Sequence, residues 1–191
     1  LGVLREVEAR GSIETAKRIR QRISHVFIYG IAQGIVQSDP AEKLGKVLKP
    51  LRKGRQPAIT ELLPLRQMII AAEGDYARPI TRLALRLLAL TAVRPSELRG
   101  ARWDEFEDLN DKLPLWRIPA SRMKGDLERK DELNGDHLVP LTPQCLAVLR
   151  ALWPLTVEGD LVFPSNRHTH RPMSENAIGY LLNRAGYHGH H

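Results

Sequence analysis

The sequence predicts a mainly α-helical fold with a small antiparallel β-sheet, an α+β arrangement in which a short helical domain precedes a larger mixed one. Three observations carry this expectation. Apolar residues recur at helical spacing over long stretches, and two short runs with strand character flank a polar segment. Turn and cap residues, among them Pro40, Gly74, Pro79, Pro95, Pro143 and Gly186, mark the ends of the segments.

Taken in order, Ser12 caps a helix whose apolar positions Ile13, Ala16, Ile19, Ile23, Val26, Phe27 and Ile31 keep helical spacing to about Val36, with one face for the core and the other basic. Asp39-Pro40 turns the chain. Pro50 to Pro57 is polar, basic and non-helical, so residues 51–60 read as a linker between a partial helical domain at 1–50 and a second domain at 61–191. A helix from about Pro64 to Glu73 stops at Gly74. Pro79 to Val93 is apolar on nearly every face, through Leu83, Leu85, Leu87, Leu88 and Leu90, and reads as a central core helix. Pro95 opens a short helix directly after Arg94. Leu115 to Ala120 and Asp136 to Leu141 read as the strands of a hairpin, with Lys124 near the first bend of the polar segment Ser121 to Gly135. Thr142 and Pro143 open a helix to about Leu152, Leu161 to Phe163 reads as a short strand, and Ser174 caps a last helix ending at Gly186.

Composition narrows the class. A chain of 191 residues with 42% hydrophobic and 27% charged content is ordinary for a globular protein that buries a core. Arg82 and Arg86 interrupt the longest apolar run, so it falls short of the roughly 18 residues of a membrane span, and no signal-peptide pattern opens the chain. A cytoplasmic location is expected. The single cysteine, Cys145, excludes an internal disulfide and a cysteine zinc cluster, and its setting on an apolar helix face predicts burial. His188, His190 and His191 have no partners at ligand spacing, so no metal is expected.

The formal charge is +7 and the isoelectric point near 9.9. Its distribution is uneven. Lys17, Arg18, Arg20 and Arg22 share one helix, while Lys43, Lys46, Lys49, Arg52, Lys53 and Arg55 crowd the stretch after it, opposed there only by Glu42. These groups suit a polyanion, with Lys17, Arg18, Arg22, Lys49, Arg52, Lys53 and Arg55 as candidate DNA contacts; a solvated charged face has the same periodicity.

Arg94 stands between the apolar helix and the proline-marked start of the next. Its planar fork can grip a phosphate in a bidentate way that lysine cannot copy, and the start of a helix favours anions nearby. Glu97, one turn on, can orient that fork by accepting a hydrogen bond. The same residues also describe an arginine that merely ends a helix and pairs with Glu97.

The neighbouring motifs break this tie. Thr91-Ala92-Val93-Arg94-Pro95-Ser96-Glu97-Leu98-Arg99-Gly100-Ala101-Arg102-Trp103 resembles the first arginine box of the tyrosine recombinases, specifically prophage-type integrases, and Trp116-Arg117-Ile118-Pro119-Ala120-Ser121-Arg122-Met123-Lys124 resembles their lysine-bearing hairpin. His137-Leu138-Val139-Pro140-Leu141, Val162-Phe163-Pro164-Ser165, Pro172-Met173-Ser174-Glu175-Asn176 and Arg184-Ala185-Gly186-Tyr187 follow in the family's order.

The resemblance implies that Arg94 and Lys124 are catalytic, the lysine protonating the leaving 5′ oxygen as general acid. The segment Gly125 to Gly135 is longer and more charged than the family's usual turn, which leaves Lys130 as a reserve candidate. It further implies that the family's His-x-x-Arg box and nucleophilic tyrosine lie beyond His191, since none of Tyr29, Tyr76, Tyr180 and Tyr187 holds the nucleophile's place in motif order. His168-Thr169-His170-Arg171 matches His-x-x-Arg literally but sits in a loop before Pro172, and reads as a decoy. On this resemblance the chain is a fragment of an integrase that recombines double-stranded DNA through a 3′-phosphotyrosine linkage without metal or cofactor. The parent is expected to be tetrameric on DNA, the fragment monomeric and inactive. A non-catalytic DNA-binding module or decayed integrase remains the alternative, and a type IB topoisomerase-like enzyme fits the motifs less well.

Overall fold

The computed structural model describes residues 1–51, 58–74, 77–123 and 135–189. Its contacts divide the chain into two units, Leu1–Arg55 and Gln56–His191.

In the first unit α1 (Gly2–Ala9) packs on α2 (Ile13–Ala32), and a 3-10 turn at Glu42–Lys46 lies against α2. Helix α1 was not foreseen: it is eight residues long and has no side-chain cap to announce it. Its Glu8 is buried, and the carboxylate accepts hydrogen bonds from Arg5 Nη1 at 3.0 Å and the Lys49 N–H at 2.6 Å. Helix α2 ends at Ala32, short of Val36, because the Gly30 carbonyl accepts the N–H groups of Ile35 and Val36 and Gly34 takes a φ of 71°. A side chain on Gly30 would meet Val36 at 2.9 Å, so glycine lets the chain fold back there. The expected apolar core face of α2 is a correction: only Ala16 and Ser24 are buried, while Val26 is 69% exposed. Ser24 instead donates to Asp39, whose other oxygen accepts the Ala41 N–H at 2.7 Å.

The second unit holds α3 (Leu62–Gly74), α4 (Pro79–Thr91), α5 (Pro95–Arg99), α6 (Pro143–Thr156) and α7 (Ala177–Arg184) around a three-stranded antiparallel sheet in the order β1 (Phe106–Glu107), β2 (Leu115–Ile118), β3 (His137–Pro140). Trp116 pairs across to Phe106 on one side and Val139 on the other. Alternation along β2 sends Trp116 and Ile118 into the core and turns Arg117 outward, where its guanidinium meets Glu107 at 2.7 and 3.1 Å and holds that carboxyl below its ordinary range. Cys145 is buried on α6, as its setting predicts.

Helix α4 packs against α6 and α7 but is one-sided. Ala84, Leu85 and Leu87 are buried, whereas Leu90 is 43% exposed, which corrects the expectation of a helix covered all round. The arginines interrupting its apolar run tie it to α3: Arg82 donates to the Glu73 carbonyl at 2.9 Å, and Arg86 forms two bonds to the Glu73 carboxylate. Leu161 to Phe163 forms no strand. It makes a single bridge from Leu161 to Arg102, with Val162 N–H donating to the Ala101 carbonyl at 2.9 Å, because its neighbour is one turn and not an extended run. Helix α6 continues past Leu152 to Thr156, tolerating Pro154 near its end. Asn176, not Ser174, is the cap residue of α7, and Gly186 closes it with a φ of 91°. No helix among the described residues is long and apolar enough to cross a membrane.

All three tryptophans lie in the second unit, so indole fluorescence reports on that unit. In urea unfolding followed this way, Leu152→Ala, at a fully buried position, loses about 2–5 kcal/mol. Leu113→Ala, 84% exposed, stays within about 0.5 kcal/mol. Equal losses would overturn the placement of α6 in the core.

Candidate functional site

Helix α4 ends because Ala92 adopts the left-handed conformation, φ 52°, with its N–H on the Leu88 carbonyl at 2.9 Å. Val93 is then buried and anchors the turn, and Arg94 takes the extended backbone that a following proline requires. Pro95 opens α5, placing Glu97 at its third position. The Glu97 side chain is 1% exposed and its carboxylate accepts the Arg94 backbone N–H at 3.0 Å and Arg94 Nη1 at 2.8 Å. The Arg94 side chain is 52% exposed. A buried carboxylate thus grips the base of a guanidinium whose remaining donors are open to an anion. At five residues, α5 is too short for its dipole to add much, so the guanidinium is the main anion-attracting element here.

Below α5 lies a second carboxylate that the sequence reading missed. Glu105, 6% exposed, accepts Trp116 Nε1 at 3.0 Å and Arg122 Nη2 at 2.6 Å. Burial, the largest influence, pushes its carboxyl above the ordinary range, against the opposing pulls of the indole N–H and the Arg122 charge. Arg122 ends the 3-10 turn Ala120–Arg122 that follows β2, and its other terminal nitrogen lies 3.4 Å from the Glu97 main-chain carbonyl. The only hint in the sequence was the position of Arg122, just ahead of Met123-Lys124.

Other candidates are placed as follows. Lys124 and Lys130, and with them Arg52, Lys53 and Arg55, lie outside the described residues. On α2, Arg18 and Arg22 are exposed one turn apart, Arg18 paired with Glu14, and Lys17 is half-buried. Arg20 packs over Gly45 and donates to the Ala41 carbonyl, bringing the basic residues of α2 and those of the Glu42–Lys46 turn into one unit, with Lys49 exposed nearby in sequence. Tyr29 and Tyr180 are exposed, Tyr187 packs partly against the core, and Tyr76 lies outside the described residues. Among the described residues no cluster of histidine, cysteine and carboxylate ligands gathers for a metal.

The His168-Thr169-His170-Arg171 segment forms an exposed turn, closed by Arg171 N–H on the His168 carbonyl at 3.0 Å. Its Thr169 and the preceding Arg167 line a cleft with Arg78 and Thr81, at the amino end of α4. Arg94 follows the opposite end. Thirteen helical residues separate the two ends, on the order of 20 Å at the ordinary helical rise.

Two variants test the turn before Arg94. Ala92→Gly is neutral or stabilising by up to about 1 kcal/mol, and β-branched Ala92→Val costs more than about 1 kcal/mol, because only glycine accepts a left-handed backbone freely; the reverse order in urea melts refutes the strained turn. For Glu105, a folded-state pKa raised above the unfolded one means that folding favours the protonated acid. Its contribution is full below the unfolded value and lost as pH rises through the folded one. Across a pH series from about 4 upward, wild-type stability therefore falls relative to Glu105→Gln. A pH-independent difference contradicts this.

Residues 1–47 match the phage integrase central domain family. Over 96% of the chain and 41% of the relative, the sequence is 35% identical to the prophage integrase IntA of Escherichia coli; over 98% and 43% respectively, it is 33% identical to the integrase of Enterobacteria phage P4. The chain spans about half the length of the curated relatives it matches. In fold it is similar to a lambda integrase tetramer bound to a Holliday junction, with TM-score 0.66 and 18% identity over 96% of this chain and 50% of that one. It is also similar to a transposon integrase in complex with a circular intermediate DNA, with TM-score 0.69 and 13% identity over 96% and 62%. The ordered motifs and the similarity along nearly the whole chain make it similar to the phage integrases over about half of their length, and its fold is shared with the integrase structures.

Proposed function

We propose that this chain is the DNA-gripping part of an integrase that cuts and rejoins double-stranded DNA at attachment sites, working as a tetramer in the cytoplasm. The observation that carries the reading is the Arg94–Glu97 pair: a half-exposed guanidinium held by a buried carboxylate, within a motif in the family's order. In this reading residues 1–50 belong to a helical DNA-binding domain, residues 51–60 form a basic linker, and residues 61–191 belong to the catalytic domain. Lys17, Arg18, Arg22, Lys49, Arg52, Lys53 and Arg55 neutralise backbone phosphates and position the duplex.

Arg94 donates to the non-bridging oxygens of the phosphate under attack, where charge grows in the transition state, and Glu97 keeps its fork aligned. A tyrosine outside this chain supplies the nucleophile and becomes linked to the 3′ phosphate. Lys124 delivers a proton to the departing 5′ oxygen.

Binding of the 191-residue chain to duplex DNA is expected to weaken linearly, on logarithmic axes, with added salt as counterions return to the DNA. Absence of any retention at low salt overturns the reading. In the parent protein, Arg94→Lys lowers formation of the covalent protein–DNA complex by about 100- to 1000-fold. An unchanged yield sinks the catalytic role and leaves a DNA-binding module.

A further inference from the structure

We propose that Arg122 is a positioning residue for Arg94: paired with Glu105 and seated against Gly100, its guanidinium holds the main-chain carbonyl of Glu97 and so fixes the turn carrying the Arg94–Glu97 pair to the end of strand β2.

Three observations converge. Arg122 contacts both partners at once, Nη2 on Glu105 Oε2 at 2.6 Å and Nη1 near the Glu97 carbonyl at 3.4 Å. The seat is close-fitting, since a side chain on Gly100 would lie 2.3 Å from Nη1. Gly100 has a negative φ, so the backbone there accepts alanine and the closeness of the guanidinium is the constraint. The base of the seat is rigid: Glu105 is also held by Trp116, which is fully buried and stacked on Phe106 with ring centroids 5.1 Å apart.

The geometry of the pair departs from what stability alone favours. A guanidinium and a carboxylate meet best through two parallel hydrogen bonds. Here Arg122 Nε and Glu105 Oε1 are buried without a hydrogen-bond partner among the described residues, and Arg122 spends its second terminal nitrogen on α5. Such an arrangement gives up pairing energy between the two charges and gains a link between elements 25 residues apart in sequence. Arg94 has no other described side-chain bond than that to Glu97. The direction of its fork therefore depends on where α5 sits.

The inference rests on the proposed function only for its DNA readout. The test compares Arg122→Gln, Arg122→Lys and Gly100→Ala with Arg117→Gln, which breaks an exposed pair on the same hairpin. The first readout is the Arg94 side-chain N–H signal in nitrogen–proton NMR spectra of the 191-residue chain, assigned by its loss in Arg94→Lys. It is expected to shift in the first three variants and stay in place in Arg117→Gln. The second is a double-mutant cycle on affinity for duplex DNA. Arg122→Gln alone is expected to weaken binding roughly fivefold, and Arg94→Gln with Arg122→Gln to bind no more weakly than Arg94→Gln alone.

A structural role confined to Glu105 would lower stability yet leave the Arg94 signal unmoved and the two losses additive; that result overturns the proposal. If Arg122→Gln fails to fold by circular dichroism, Gly100→Ala and Arg122→Lys decide the question through the same signal. Failure of the wild-type chain to retain DNA refutes the proposed function instead, and the NMR comparison still decides the role of Arg122.

Discussion

A carboxylate that is 1% exposed must be met by donors or give up its charge, and the arrangement around Glu97 follows from that requirement. Its two donors both belong to Arg94, three residues earlier, and they reach it only if α4 stops at Thr91 and the chain turns at once. The left-handed Ala92, the buried Val93 and Pro95 at the first position of α5 produce that turn. A local ion pair between residues three apart thereby becomes a fixed mount. Because the acid is buried and the base is not, the pair presents positive charge to solvent.

Glu105 reverses this geometry. Its partner Arg122 is only 23% exposed, and the couple faces inward between α5 and the sheet. Two buried carboxylates thus organise two arginines, one turned outward to meet an anion and one turned inward to join secondary structure. The sheet is small, yet it supplies what this needs: alternation on β2 puts Trp116 under Glu105 while Arg117 is kept on the surface with Glu107. The arginines of α4 have a third task. Arg82 and Arg86 close the end of α3 at Glu73, whose carboxyl is drawn below its ordinary range chiefly by the Arg86 hydrogen bond. A basic sequence is therefore not uniformly available to a polyanion, since part of its charge is spent on the fold.

The first unit shows the same division. Arg5 serves buried Glu8, and Arg20 leans over Gly45 onto a carbonyl, while Arg22 and Lys49 remain exposed. The charge excess that suggests a polyanion resides in the second group. A count of lysines and arginines cannot separate the two.

The sequence by itself determined the helices with strong periodicity or clear caps, α4 from Pro79 and α6 from Thr142 and Pro143, and both strands of the hairpin, because these depend on local chemistry. It also determined the position of Arg94 and its closeness to Glu97, since three residues at the start of a helix bring such side chains together. What depended on distant neighbours was not legible. Whether Leu90 and Val26 meet a partner and whether Leu161 to Phe163 finds an extended neighbour are settled by packing. Only the tertiary structure decided that Glu105 and Arg122, 17 residues apart, share one buried seat against Gly100 and Trp116. Periodicity reports the face on which a residue lies, and a buried ion pair exists only when two such faces close on each other.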